Sequence, residues 1–204
     1  MSDKPSRRVL DLSALPSVAF GRTNVSWLGN VLYMTIEGAM FAMVIASYFY
    51  LRTRTTQWPP GGQAPPALRY GLANLVIFIV SLAPAYWVKH QAFRRMKQRV
   101  QMGLCVLAGF GLVAIIIRTL EFTTLNCRWS DNAYASCLWI VLGLHTGHLI
   151  TEWIETLAVT AISFTDRMEG IRFADVGMNT DYWYFVVVTG VVVDVIVYLT
   201  PRWI

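Results

Sequence analysis

Five apolar runs decide what this chain can fold into, because each is at or above the roughly 18 residues that cross a bilayer as a helix. They occupy residues 27–51, 70–88, 101–120, about 134–164 and 182–200. The last run is rich in valine, yet a lone strand in lipid would leave its backbone groups unpaired, so a helix is predicted there too. The sequence therefore predicts an all-α, polytopic membrane bundle with five transmembrane helices.

Composition and charge agree with a membrane protein. The chain of 204 residues is 55% hydrophobic and 14% charged, whereas a soluble domain has about 45–50% apolar and about 25% charged residues. Its net charge of +5 comes from Lys and Arg in the connections, which topology explains without a nucleic-acid partner. Tryptophans and tyrosines near the ends of the runs, such as Tyr182 and Trp183, fit an interfacial aromatic belt.

The basic residues also predict an orientation. Eleven of the 17 Lys and Arg residues lie before the first run, in the second connection or in the fourth connection. Because cytoplasmic loops carry the excess of positive charge, the amino terminus is predicted to be cytoplasmic and the carboxyl terminus outside. Residues 1–26 then form a cytoplasmic segment, and residues 27–204 form one transmembrane domain.

Small residues recur in the first run. Gly38, Ala42 and Ala46 follow one another at four-residue spacing. Such a ridge lets a second helix approach closely, so we expect a helix-packing contact there.

Cys127 and Cys137 flank the third connection, which the predicted orientation places in an oxidising compartment. A disulfide closing this short loop can form there. Two free thiols are favoured, because nothing in the sequence fixes the geometry that a disulfide needs.

Ionisable side chains form one stripe in the fourth run. His145, His148, Glu152 and Glu155 are spaced three, four and three residues apart, which at 100° per residue confines them to an arc of about 80°. Counting 1.5 Å per residue from the ends of the runs places Glu37 and His148 at a similar depth, roughly 15 Å into the membrane. We therefore expect Glu37 and His148 to face each other.

A carboxylate and an imidazole at this depth can share a proton and hand it on when water reaches them. We therefore predict a buried polar centre of Glu37, His145 and His148 with a proton-relay role. The alternative is an interhelical hydrogen-bonded pair without proton traffic, which is ordinary in membrane bundles.

The remaining ionisable residues are assigned to interfaces. Arg118 and Glu121 are three apart near the outer end of the third run, and they are predicted to pair on the helix surface as an interfacial anchor. Glu152 and Glu155 continue the stripe towards the cytoplasmic interface, where a water-accessible entrance or a subunit contact is expected. Asp194 has no evident partner in the sequence, and a neighbouring subunit could supply one.

A metal site is a further hypothesis for the same residues. Histidines 145 and 148, with Glu37 and Glu121, superficially resemble the ligand sets of two-iron bundles. The Glu-x-x-His pair of those sites is absent, and the candidate ligands spread over more than about 20 Å of depth, which disfavours a freestanding membrane metalloenzyme. A proton-coupled transporter is disfavoured because five helices do not divide into two repeats. No catalytic residue and no metal ligand is assigned.

Four motifs, in order along the chain, resemble one family. They are LYMTIEGAMFAMVIASYFYLR with Glu37, RTLEF with Glu121 and Phe122, GLHTGHL with His145 and His148, and DYWYFVVVTGVVVDVIVYLTPRW with Trp183 and Phe185. Together they resemble subunit III of the haem-copper terminal oxidases in its five-helix bacterial form, over nearly the whole chain from about residue 27.

The chain departs from the pattern of that family at Thr146, Tyr184 and Val187. These departures are typical of a divergent branch, or of a paralogous subunit such as the one that accompanies some nitric oxide reductases. Glu152 and Glu155 are also outside the family pattern.

The resemblance implies a non-catalytic accessory subunit with no haem or copper of its own. It would dock on the catalytic subunit I, which carries those cofactors, with subunit II as a further partner. It would hold phospholipids in a cleft between helix groups and support proton uptake by subunit I. The expected location is the bacterial inner (plasma) membrane, which the chain would cross several times.

Overall fold

A computed structural model of the chain describes residues 24–166, 168 and 170–203. Most of the predicted cytoplasmic segment, including its four basic residues, lies outside the described residues, as does Arg167 of the fourth connection. The division of the chain at residue 26 therefore stays a prediction.

The described residues form five long helices and no strand. They are α1 (Val25–Thr53), α2 (Leu68–Phe93), α3 (Lys97–Phe122), α4 (Ala133–Ser163) and α5 (Gly170–Asp194). α5 runs on through a π-helical segment (Val195–Leu199) into a last helical turn, α6 (Thr200–Trp203). All five are long and apolar enough to cross a membrane, so the predicted all-α bundle of five transmembrane helices is confirmed.

The start of α5 differs from the sequence prediction. The helix begins twelve residues before the apolar run, because residues 170–181 are amphipathic rather than uniformly apolar. Phe173 and Val176 are buried there, whereas Arg172 is exposed. A criterion based on apolar runs cannot detect a helix that is half polar.

The two ends of the bundle are named here by their connections. The inner side holds the start of α1, the turn between α2 and α3, and the connection between α4 and α5. The outer side holds the other two connections and α6. The predicted orientation places the inner side in the cytoplasm.

α5 lies at the centre of the bundle and α1 at its edge. α5 packs on α1, α2 and α4, whereas α1 packs mainly on α4 and α5. Only Glu37, Phe41 and Tyr48 are buried among the 29 residues of α1. Most of the surface of α1 is therefore apolar and faces outward, as expected of a helix that meets lipid or a partner.

The predicted ridge of small residues on α1 makes no close helix contact within this chain, so that expectation is wrong for the single subunit. Ala42 and Ala46 are exposed, and a Cβ on Gly38 would meet only the ring of Phe185 at 3.8 Å. The reason is geometric. The face that α1 turns to the bundle carries the buried residues Glu37, Phe41 and Tyr48 instead.

Close approach is achieved elsewhere by glycines of α2 and α3. A Cβ on Gly71 would overlap the ring of Tyr198, and one on Gly111 would lie 2.5 Å from Cδ1 of Trp153. Both positions require glycine, because a large aromatic ring occupies the space that a side chain would fill.

Candidate functional site

The first buried centre joins α1, α4 and α5 through Glu37. Its Oε1 lies 3.2 Å from Nε2 of His148, and the hydroxyl of Tyr182 donates a hydrogen bond of 2.7 Å to its Oε2. Glu37 and His148 are 5% and 9% exposed. The predicted contact between Glu37 and His148 is therefore present.

Tyr182 and Trp183 lie in the interior and not in an interfacial belt, so that interpretation of the two aromatic residues is wrong. Both are buried, and the indole Nε1 of Trp183 donates a hydrogen bond of 2.9 Å to the hydroxyl of Ser81. The long inner extension of α5 is the cause, because it moves both residues away from the end of the helix.

Glu37 and His148 are arranged so that they can share a proton. Nδ1 of His148 is 2.6 Å from the carbonyl oxygen of Leu144, and because a carbonyl only accepts, Nδ1 carries its hydrogen. Nε2 then contacts the carboxyl group favourably as an imidazolium beside a carboxylate, or as a neutral imidazole beside a carboxylic acid. One shared proton satisfies both forms, and its onward relay stays a prediction.

The second centre surrounds Arg118 and joins α3, α4 and the π-helical segment. Nη1 of Arg118 donates a hydrogen bond of 2.8 Å to Glu121 Oε1. The same oxygen accepts a bond of 2.5 Å from the hydroxyl of Tyr198. Nη2 of Arg118 lies 3.1 Å from Nδ1 of His145.

The predicted pairing of Arg118 with Glu121 is present, but its placement on the helix surface is wrong. Both residues are 0% exposed. Their three-residue spacing makes them neighbours on any face of a helix. The rotation of α3 in the bundle turns that face inward, where Tyr198 and His145 complete the hydrogen bonding.

His145 is a neutral side chain held from both ends. A guanidinium has no acceptor, so Nδ1 of His145 accepts from Arg118, and Nε2 carries the hydrogen that it donates to the carbonyl oxygen of Val186 over 2.9 Å. His145 thus belongs to the Arg118 centre, whereas the sequence grouped it with Glu37 and His148. The two histidines serve separate centres.

Glu152 forms a third centre with α5. Its Oε1 accepts a hydrogen bond of 2.9 Å from Nδ2 of Asn179 and one of 3.3 Å from the hydroxyl of Thr156. Glu152 is 0% exposed, so its assignment to an interface is wrong, whereas Glu155, one turn further towards the inner side, is exposed. The difference follows from the packing of α5 over only part of the stripe.

Asp194 has a charged neighbour within its own chain. Its Oδ1 lies 3.9 Å from Nη1 of Arg118, and the residue is 5% exposed. This neighbour could not be predicted from the sequence, because Arg118 comes from a different helix.

The three cysteines, Cys105, Cys127 and Cys137, are free thiols. The structure has no bridge between Cys127 and Cys137, and the redox state of the two thiols in the membrane stays a prediction.

The histidines and carboxylates of these centres are also the candidate metal ligands. In the described part of the chain, no three His, Cys, Asp or Glu side chains come together in a way that could hold a metal ion. His145 uses both ring nitrogens for protein contacts, and His148 does the same.

Three residues on the last span are hydrogen-bond partners of the buried carboxylates and were not predicted from the sequence. Asn179, Tyr182 and Tyr198 each hydrogen bond to a buried carboxylate. Asn179 lay outside the apolar run, and a tyrosine near a span end is usually interfacial. The one indication in the sequence was that these side chains are polar and lie on a helix that packs on three others.

Five helices able to span a membrane, around a carboxylate–histidine centre and a carboxylate–arginine centre, define the chain as an integral membrane protein with a buried polar interior. The sequence profile of cytochrome c oxidase subunit III matches residues 21–203, and the chain belongs to that family. The resemblance of the four motifs is thereby confirmed.

Individual relatives agree with this membership. The chain is 25% identical to the cytochrome c oxidase subunit 3 of Synechocystis sp., over 88% of this chain and 77% of the relative. The same identity is found with the subunit 3 of Thermostichus vulcanus, over 86% of this chain and 87% of the relative. It is also found with that of Bacillus sp. strain PS3, over 85% and 84%.

Proposed function

We propose that this oxidase subunit III is a non-catalytic accessory subunit that docks on the haem-copper catalytic subunit I, with subunit II as a further partner, in a bacterial inner membrane. In this role it binds phospholipid and supports proton uptake by subunit I. The observation that carries the proposal is the buried contact of 3.2 Å between Glu37 and His148 in a chain of this family. In this proposal the haem and copper cofactors are bound by subunit I.

The packing of α5 supports the lipid part of the proposal. α5 packs on both α1 and α2, and we propose that its outward strip is the floor of a groove between those two helices. Val188, Val192 and Val195 on this strip are 61%, 44% and 40% exposed. An apolar floor between two helices suits an acyl chain.

The inner end of this groove supplies polar groups at headgroup level. A cavity there is lined by α1, α2 and α5, with Trp27, Lys89 and Asp181 among its residues. Lys89 donates a charged hydrogen bond to Asp181 and keeps two further N–H donors for a phosphate. A tryptophan and a lysine at this level are typical of a membrane interface.

The α4 stripe supports the proton part. Glu155 is exposed near the inner side, Glu152 is buried one turn above it, and His148 meets Glu37 one turn further on. Carboxylates and an imidazole at successive depths can hold protons close to a partner that consumes them.

Purification of the native assembly tests the accessory role. The chain should co-purify with a haem-copper subunit, seen by mass spectrometry of the partners and by a reduced-minus-oxidised spectrum. The chain alone should show no haem absorption. Stoichiometric iron or copper bound by the isolated chain would overturn the proposal.

Substitution of Glu37 tests the proton part. In the intact oxidase, Glu37→Gln should leave the initial turnover near normal, while activity decays faster during sustained turnover because the shared proton is lost. Thr35→Val, on the exposed side of the same helix, is the matched control. Equal decay rates in Glu37→Gln and the control would contradict a role in proton supply.

Substitution of Lys89 tests the lipid part. Lys89→Ala should reduce the phospholipid retained per complex, measured by lipid mass spectrometry. Lys97→Ala is the control, since Lys97 lies on the same side but donates to the carbonyl oxygen of Thr165. Unchanged retention in Lys89→Ala would argue against a headgroup site there.

A further inference from the structure

A second cavity lies between α2 and α5 in the outer half of the bundle. Its volume is about 70 Å³. Its walls are almost entirely apolar, with Leu72, Leu75, Val191 and Val195 among them, and Asp194 lies in its lining. Neither carboxylate oxygen of Asp194 has a hydrogen-bond partner in the described part of the chain, although the residue is only 5% exposed.

The charges around Asp194 do not balance if it is ionised. Arg118 is the fixed cation of this centre, and it already donates to Glu121 over 2.8 Å. Its distance of 3.9 Å to Asp194 Oδ1 is beyond hydrogen-bond range. Two carboxylates would then share one guanidinium, and a buried carboxylate without a hydrogen bond costs far more than a neutral carboxyl group.

The other groups that face Asp194 cannot neutralise it. On α4, His145 is neutral, because it accepts from Arg118 and donates to Val186. In the π-helical segment, the hydroxyl of Tyr198 donates to Glu121. α2 contributes only Gly71 and leucines to the cavity wall.

We propose that Asp194 is a proton-binding site, which holds one proton as a carboxylic acid and exchanges it through the cavity between α2 and α5. A proton suits the site, since a metal cation needs several oxygen ligands and the cavity wall offers only those of Asp194 and Tyr198. Arg118 would also repel a metal cation.

The centre around Arg118 can also stabilise the ionised form of Asp194. The Nε–H of Arg118 has no acceptor among the described residues, and the carboxyl oxygens of Asp194 have no donor. A movement of the Arg118 side chain could bring this donor and this acceptor together. When Asp194 releases its proton to the cavity, the carboxylate attracts the guanidinium of Arg118. That movement loosens the bond from Arg118 to His145, which couples the protonation of Asp194 to the middle of the bundle.

Infrared spectroscopy tests this site in the full chain, within the complex in which it is purified. Aspartate labelled with carbon-13 at the side-chain carboxyl is incorporated, and the acid carbonyl band is recorded at neutral pH. The other described aspartates are exposed or paired with Lys89 or Arg172. Aspartates of partner subunits carry the label as well, so the assignment depends on the difference between the wild-type and variant spectra. We expect one label-sensitive acid band that is lost in Asp194→Asn and kept in the control Asp131→Asn.

Two results would overturn the proposal. One is a set of label-sensitive acid bands that is the same in the wild type and in Asp194→Asn. The other is a labelled wild-type complex with carboxylate bands alone, which would show an ionised Asp194 and indicate that a neighbouring subunit supplies a cationic partner. If Asp194→Asn fails to assemble, Asp194→Glu serves in its place, because a glutamate keeps the carboxyl group but does not carry the aspartate label and should remove the same band.

Discussion

Arg118 donates from Nη2 to Nδ1 of His145 over 3.1 Å, which makes His145 the tautomer that carries its hydrogen on Nε2. His148, three residues later on the same helix, has its hydrogen on Nδ1, since it donates to Leu144. Two histidines on one face of α4 therefore carry their hydrogens on different ring nitrogens, Nε2 in His145 and Nδ1 in His148. Each belongs to a different buried carboxylate centre.

Removal of Arg118 should destabilise the bundle strongly. Arg118→Met leaves the carboxylate of Glu121 buried without its cation, and breaking a buried ion pair from one side costs about 3–5 kcal/mol. The free energy of unfolding in mixed micelles should fall by about that amount.

The matched double variant separates charge from packing. Arg118→Met with Glu121→Met removes both charges and should regain much of the lost stability, because apolar replacements of similar volume are tolerated. Arg128→Met, at an exposed position, should have no effect. A single Arg118→Met variant as stable as the wild type would show that the pair is not stabilising.

The contact between Glu37 and His148 should appear as a pairwise energy. A double-mutant cycle with Glu37→Ala and His148→Ala should give a coupling of about 1 kcal/mol, within the range of polar contacts between membrane helices. The same cycle between Glu37 and Glu121, which share no hydrogen-bond partner, should give additive effects. Equal coupling in the two cycles would mean that the first does not report the contact.

The level of a residue along the bundle was predictable from the sequence, whereas helix rotation was not. Counting residues along two antiparallel helices predicts which residues lie at the same level, and this is why the contact between Glu37 and His148 was predicted correctly. The same sequence pattern cannot say which way α3 faces, so Arg118 and Glu121 were paired but placed on the wrong surface. Rotation depends on partners from distant helices, such as Tyr198, and these carry no signature in the spacing of α3.

Gly71 should tolerate no side chain. Gly71→Ala places a Cβ against the ring of Tyr198, which must move and so weakens its bond to Glu121. Overpacking of this kind costs about 1–3 kcal/mol, measurable as a lower unfolding temperature. Gly109→Ala is the control, since nothing lies within 4 Å of a Cβ there, and it should leave stability unchanged or slightly raised.

Cys127 in the outer loop should react with thiol reagents more slowly than an exposed cysteine. Burial raises the pKa of the Cys127 thiol, and the nearby carboxylate of Asp131 raises it further. Because the thiolate is the reactive form, a raised pKa lowers the reactive fraction at any pH below it, and the rate should keep climbing above the ordinary pKa of a thiol. Asp131→Asn removes the negative charge, so alkylation of Cys127, followed by mass spectrometry across a pH series, should reach its midpoint at lower pH. A midpoint at the ordinary value in the wild type, or one unmoved by Asp131→Asn, would contradict this electrostatic account.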